Sequence, residues 1–307
     1  MNVGEAFDIL LCLIILAVAL GAIAGRDLFA GVALFIVYGL LLAIAWVRLG
    51  AVDVALAEAA IGAGLTGVLL LSAVARLKED QAPHNSGFSP LILLLCVGLA
   101  GALGWAVLDL MVPAVGLRED VAANMAGAGA DNPVTAVLLN FRGWDTFLES
   151  VVILVALVGV WALGADDTWG GRPGLQQHVR PQGVLSTFGR FLPPLGLVIG
   201  VYLVWTGAST PGGAFQAGTV LAAVWLLAMM AGLDEPPAVS SLRLRWGLIL
   251  GPLVFLTVGL YGLSRGVFLL FPVDMAKTLI LIVEFALTLS IALTLALLVM
   301  GPARRPR

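Results

Sequence analysis

The chain is written in long apolar runs broken by short polar seams. Stretches such as LLCLIILAVALGAIAG, residues 10–25, and FALTLSIALTLALLVMG, residues 285–301, stay apolar over nearly the length needed to span a bilayer. A helix needs roughly 18 to 20 such residues to cross the hydrocarbon core. These runs do not alternate in polarity, which excludes the strands of a membrane barrel. With Gly, Pro and charged positions taken as breaks, the pattern predicts an all-α polytopic membrane bundle. About nine transmembrane helices are expected, at roughly 7–25, 28–47, 51–75, 90–112, 144–164, 190–207, 216–233, 246–264 and 276–300.

Two seams are longer than the rest. Residues 113–143 form a Gly- and Ala-rich connection, with room for a short helix at the membrane interface. Residues 166–189 are rich in Gly and in polar and basic residues and read as a cytoplasmic linker; His178 inside it is expected to be a solvated loop residue without chemistry. The seams divide the chain into a three-helix module (1–80), a two-helix module (81–165), the linker (166–189) and a four-helix module (190–307).

Composition sharpens this picture. Of 307 residues, 61% are hydrophobic and 11% charged, so the net charge of -3 reflects a few loop and membrane positions and says little about partners. No basic patch points to nucleic acid. Cys12 and Cys96 each sit within an apolar run and are expected to be packing residues, neither disulfide halves nor metal ligands. The first run has no basic segment before it and no cleavage site after it, so it is expected to be a span. Of the sixteen Lys and Arg residues, Arg48, Arg118, Arg142, Arg265 and Lys277 fall on one side of the nine-helix arrangement and the other eleven on the side of the C-terminus. The excess predicts an outside N-terminus and a cytoplasmic C-terminus.

The candidate chemistry lies in carboxylates that hydrocarbon should reject. An ionised side chain at the bilayer centre costs about 2.5 to 3.5 kcal/mol on insertion scales. Asp53 and Glu58 nevertheless fall in the third span, Asp109 at the end of the fourth, Asp145 and Glu149 at the start of the fifth, and Glu284 inside the ninth. At 1.5 Å of rise per residue, Glu58 and Glu284 are on the order of 10 to 15 Å from the outer ends of their helices. Arg142, Asp145 and Glu149 are spaced i, i+3, i+7, which puts them on one helical stripe, with the cation placed to keep Asp145 ionised. Lys277 and Glu284, seven apart, share a face continued by Thr288, whereas Asp53 and Glu58, five apart, point in different directions. Acids and bases at graded depths can pass protons between groups of matched affinity. They can also be structural ion pairs that lock helices together. Their position in the outer half of the membrane predicts access from the outer face.

Three stretches carry a family resemblance. VYLVWTGASTPGGAFQAGTVLAA resembles the B subunit of the Mrp-type multisubunit sodium/proton antiporters and its relatives in membrane-bound hydrogenases, with Ala214 where the family hairpin has a third glycine. LGAVDVALAEAAIGAGLTGVLLL resembles a segment of the D subunit of those hydrogenases and the C-terminal part of the large Mrp A subunit; Val52 and Ala57 depart from it, while Asp53 and Glu58 match. NFRGWDTFLES is similar to the signature of the E module, keeping Arg142, Asp145 and Glu149 and departing at Asn140 and Leu148. The match weakens after Phe271, so Lys277 and Glu284 fall in a helix unlike the usual last helix of the B subunit.

The resemblance implies an ion-translocation subunit of a prokaryotic inner-membrane complex that moves protons with another cation, sodium included. Its partners would be other membrane subunits, large antiporter-like ones among them, and the lipid bilayer; no cofactor is implied. Asp53, Glu58, Arg142, Asp145, Glu149, Lys277 and Glu284 are the expected pathway residues. Pro211, Gly212, Gly213, Gln216 and Gly218 are expected to form a compact structural hairpin, read primarily as a turn without contact to ions. The second reading is a non-transporting subunit that docks larger transporting or redox partners. No nucleophile constellation, metal-ligand cluster or phosphate loop points to an enzyme.

Overall fold

The computed structural model describes residues 2–25, 27–77, 89–110, 116–174 and 183–304. Among them, nine long helices follow one another: α1 Val3–Ala24, α2 Leu28–Arg48, α3 from Val52 to Arg76, α4 Pro90–Asp109, α5 Gly143–Ala162, α6 Val184–Thr206, α7 Ala214–Met230, α8 Leu242–Leu263 and α9 Ala276–Met300. Eight are long and apolar enough to cross a membrane; α7, with 17 residues, is apolar but shorter. The bundle is therefore all-α and polytopic, as the hydropathy pattern predicts.

Local chemistry sets several starts. At α1 the Asn2 side chain accepts the Glu5 N–H at 2.8 Å while the Glu5 carboxylate accepts the Asn2 N–H at 3.0 Å, a reciprocal cap. Asp27 caps α2 through Phe29 N–H at 3.0 Å, and Ser89 followed by Pro90 opens α4. α6 begins at Val184, earlier than the sequence suggests, and runs through Pro193 and Pro194. Each proline forfeits one backbone donor, yet the turns before it can still form when a packed neighbour holds the helix. That neighbour is α7, which the small residues Gly189, Gly196 and Gly200 let approach α6 closely.

α3 is continuous but not uniform. Val52–Ala57 and Thr66–Arg76 are α-helical, and Glu58–Leu65 between them is a π-helix, with Thr66 Oγ1 donating to the Ile61 carbonyl at 2.9 Å. The wider turn is packed against α2, where a Cβ on Gly39 would stand 3.0 Å from that of Ala63.

The core is built around α9. Ile280, Val283, Leu287, Ile291, Ala296 and Leu297 on this helix are fully buried against α5, α7 and α8. Close approach needs small residues, as is usual where lipid offers no hydrophobic drive. A Cβ on Gly218 of α7 would lie 2.7 Å from Ile291 Cγ2, and one on Gly251 of α8 would lie 2.9 Å from Leu287 Cα. At the opposite extreme, no residue of α4 is buried, and Gly98, Gly101 and Gly104 face open space. Cys12 and Cys96 are exposed on α1 and α4, which corrects their reading as packing residues: an apolar run need not face protein when its surroundings are lipid.

Part of the segment expected to be a linker is folded. After a 3-10 turn at Asp166–Thr168, β1 Arg172–Pro173 pairs antiparallel with β2 Ala303–Arg304 beyond α9. Arg172 also meets Glu235 at 2.6 Å, and Val239 N–H donates to the Gly171 carbonyl at 2.9 Å. His178 lies outside the described residues. The connection before α5 holds the short helix Arg118–Asn124, then Pro133–Ala136 continuing into a π-helical turn, Val137–Phe141.

Candidate functional site: an acid-lined cavity where three stretches meet

The TGASTPGGAFQAG stretch makes a tight turn between α6 and α7. Ser209 and Thr210 N–H donate to the Thr206 carbonyl at 2.9 and 2.8 Å, and Gly213 N–H reaches back to the Leu203 carbonyl at 3.0 Å. Gly213 has φ 113°, a conformation that side chains disfavour, so glycine is required there. The segment before α5 is docked on this turn. Asp131 and Asn132 N–H both donate to the Ala208 carbonyl, at 2.7 and 2.9 Å, and Thr135 Oγ1 donates to the Gly207 carbonyl at 2.6 Å.

Asp53, in the first turn of α3, completes the junction. Its carboxylate accepts Gly212 N–H at 3.1 Å and lies 3.4 Å from Asn132 Nδ2. The same Asn132 amide reaches the Thr210 carbonyl at 3.3 Å, and Gln216 Nε2 donates to the Asp53 carbonyl at 3.4 Å. The hairpin is thus a compact turn, but it is not only that: it delivers a backbone donor to one of the candidate carboxylates. Nothing in the sequence links the two, because 159 residues separate Asp53 from Gly212.

Beside this junction lies a cavity of about 260 Å³. Asp53, Glu149 and Glu284 line it, with Gln216, Thr135 and Thr146 as further polar groups and Ala57, Ile61, Leu138 and Phe215 among the apolar ones. Glu149 is exposed along α5 and makes no hydrogen bond or ion pair among the described residues. Glu284 is 2% exposed, and its Oε2 has no hydrogen-bond partner. Thr146 and Thr135 spend their protons on the Leu138 and Gly207 carbonyls, so their oxygens are left as acceptors.

The other candidates lie outside the cavity lining. The Glu58 carboxylate folds over Gly62 on its own helix, where a Cβ would collide with it. Arg142 and Asp145 form an ion pair with each other and are both exposed at the start of α5. Lys277 is exposed near the start of α9, so it and Glu284 share a helix face but not an environment. Asp109 is exposed at the end of α4. Asn132, Thr135 and Thr146 are site residues that the sequence does not single out. The Asn132-Pro133 pair is a helix-start signal, but nothing in it reveals that the amide turns toward Asp53.

Two parts of the chain match known families. Residues 13–79 match a family model described as the D subunit of MBH, and residues 184–302 match one described as a domain related to the MnhB subunit of Na+/H+ antiporter, a match that runs through α9 and so corrects the expected weakening after Phe271. The uncharacterized protein MJ1307 of Methanocaldococcus jannaschii is 28% identical over 155 residues, which cover 46% of this chain and 59% of that protein. The chain therefore spans a little over half the length of this curated relative. In fold, it is similar to a chain of the Mrp complex from Dietzia sp. DQ12-45-1b, with a TM-score of 0.72 at 23% identity over 97% of this chain and 35% of that one. It is also similar to a chain of the membrane-bound sulfane sulfur reductase, an archaeal respiratory membrane complex, with a TM-score of 0.55 at 24% identity over 69% of this chain and 96% of that one.

Proposed function

We propose that the chain, whose residues 13–79 match the D subunit of MBH and residues 184–302 a domain related to the MnhB subunit, is a fusion of D-like and B-like modules of the Mrp and membrane-bound-hydrogenase type and an ion-translocating subunit of a cation/proton antiporter-type complex. It is a transporter subunit rather than an enzyme, and it works beside larger membrane subunits. The D-like and B-like modules, with a two-helix E-like module between them, enclose one segment of the ion path. The observation that supports this best is the convergence of Asp53, Glu149 and Glu284, from three separate helices, on a single cavity. Three carboxylates without a lysine, arginine or histidine in the lining are a costly arrangement unless positive charge visits them. Glu149 exchanges protons or cations, Asp53 fixes the mouth, and Glu284 forms the inner wall. In this reading the mouth opens on the outer face of the membrane, the orientation that the Lys and Arg asymmetry favours. Glu58, Arg142, Asp145 and Lys277 act from outside the cavity, shaping the field at its approaches.

The path can be tested by plugging it without touching an acid. Ala57 lines the cavity and is partly buried, so Ala57→Phe should fill it. In vesicles carrying the assembled complex, cation-driven proton movement should fall to background while recovery of the complex is unchanged. Normal transport by an assembled plugged complex would remove the proposal. The second reading, a docking subunit without ion traffic, draws on the bare surface of α4. It predicts that the plug weakens assembly, or nothing, before it weakens transport.

A further inference from the structure

Two oxygens in the cavity converge on one open point. Gln216 gives its Nε2 to the Asp53 carbonyl at 3.4 Å, which fixes the amide and turns Oε1 the other way. Glu284 enters from α9 with Oε2 unpartnered and only 2% of the residue exposed. A Cβ on Gly213 would stand 3.3 Å from Glu284 Oε1 and 3.6 Å from Gln216 Oε1. That space is open because residue 213 is glycine, and its φ of 113° keeps it so.

We propose that Glu284 Oε1 and Gln216 Oε1, both bordering the Gly213 notch, form a site at which a proton and a sodium-sized monovalent cation compete. This deepens the reading of the cavity as an ion path and rests on it. At the notch itself one carboxylate and one neutral amide supply a single negative charge, which one monovalent ion balances; Glu149 and the hydrogen-bonded Asp53 are the other acids of the cavity. A calcium-like site would call for six to eight oxygens, several of them charged. No group of three or more acidic, His or Cys residues among the described residues is placed to hold a metal ion together. Burial does the rest: the Glu284 carboxylate, with Oε2 lacking a donor and Oε1 at the notch, in a cavity without a basic lining residue, is retained at acceptable cost only with a cation beside it or a proton on it. Asp53 is the wrong partner for such an ion, because its carboxylate is already engaged by Gly212 and Asn132.

Carbodiimide labelling of the assembled complex in native membranes tests the site independently of transport. An apolar carbodiimide modifies protonated carboxyls in apolar surroundings, and mass spectrometry locates the adduct. Glu284 should label in choline chloride, and sodium chloride should protect it. Gln216→Ala should raise the sodium concentration giving half protection about tenfold, the loss expected for one oxygen contact to a charged group. A Glu284 that never labels, labels equally in both salts, or keeps the same half-protection point in Gln216→Ala overturns the site. If Gln216→Ala fails to assemble, the wild-type salt comparison decides alone. Sodium-insensitive labelling combined with transport loss in Ala57→Phe would remove the notch and leave the path standing. Normal transport in Ala57→Phe would remove the path itself.

Discussion

Glu149→Gln is expected to abolish cation-coupled proton movement by the assembled complex, with at least about a hundredfold loss, the lower range for removal of a proton-transferring side chain. Glutamine matches glutamate in size and keeps a polar head, so the cavity wall and the packing of α5 are preserved. What disappears is the ability to gain and lose a proton or to neutralise a cation. Glu149 suits this role because its carboxylate is unengaged among the described residues and faces the cavity. Asp145, one turn nearer the start of α5, is tied to Arg142 and exposed, so Asp145→Asn should cost far less. The measurement is proton uptake into membrane vesicles on a sodium pulse, normalised to recovered complex. An assembled Glu149→Gln complex that transports like wild type would refute the ion path at its most accessible acid.

A second large effect concerns packing. Gly218→Leu should prevent α7 from seating on α9, whereas Gly98→Leu on α4 should leave folding of the chain intact. The first position has Ile291 Cγ2 and Cβ at 2.7 and 2.9 Å and the Thr288 carbonyl at 3.2 Å from where a Cβ would sit; the second has nothing within 4 Å. Inserting extra methylenes into a packed core costs about 1 to 3 kcal/mol, and leucine adds several at a contact that has no room for one. The backbone carbonyl cannot yield as a flexible side chain would. Thermal loss of monodispersity of the purified complex in detergent reports the difference: a marked fall for Gly218→Leu, little change for Gly98→Leu. Equal stability of the two variants would show that the α7–α9 contact is looser than its geometry states.

The helices are legible in the sequence because hydrocarbon enforces a length and a composition, and all nine fall within a few residues of their expected places, α1 starting four residues early and α6 and α8 six and four. Local signals obscure the α6 and α8 starts: Arg243 and Arg245 look too polar for a helix interior, and two prolines look like an entry. The π-helical turn of α3 is not legible, since Glu58–Leu65 has the same composition as an ordinary apolar helix. Asp53, Glu149 and Glu284 stand out by cost alone, because an acid among apolar neighbours is conspicuous at any distance. Which acids share a cavity is not legible. Asp53 finds its donors in Gly212 and Asn132 through tertiary docking, and Glu58, equally conspicuous in the sequence, turns instead onto Gly62 of its own helix.

The Asp53 knot carries a further consequence. α3 and the α6–α7 turn are held to each other directly by the Asp53 carboxylate, the Gln216 amide and the Gly212 N–H, and by the packing of α3 on α7 and α9, while Asn132 in the chain between them bridges both. Covalent continuity guarantees equal numbers of both halves and keeps them at high effective concentration, while part of the recognition is written into the joint itself. Two separately translated polypeptides divided between α5 and α6 would still carry every one of these bonding groups, Asn132 included.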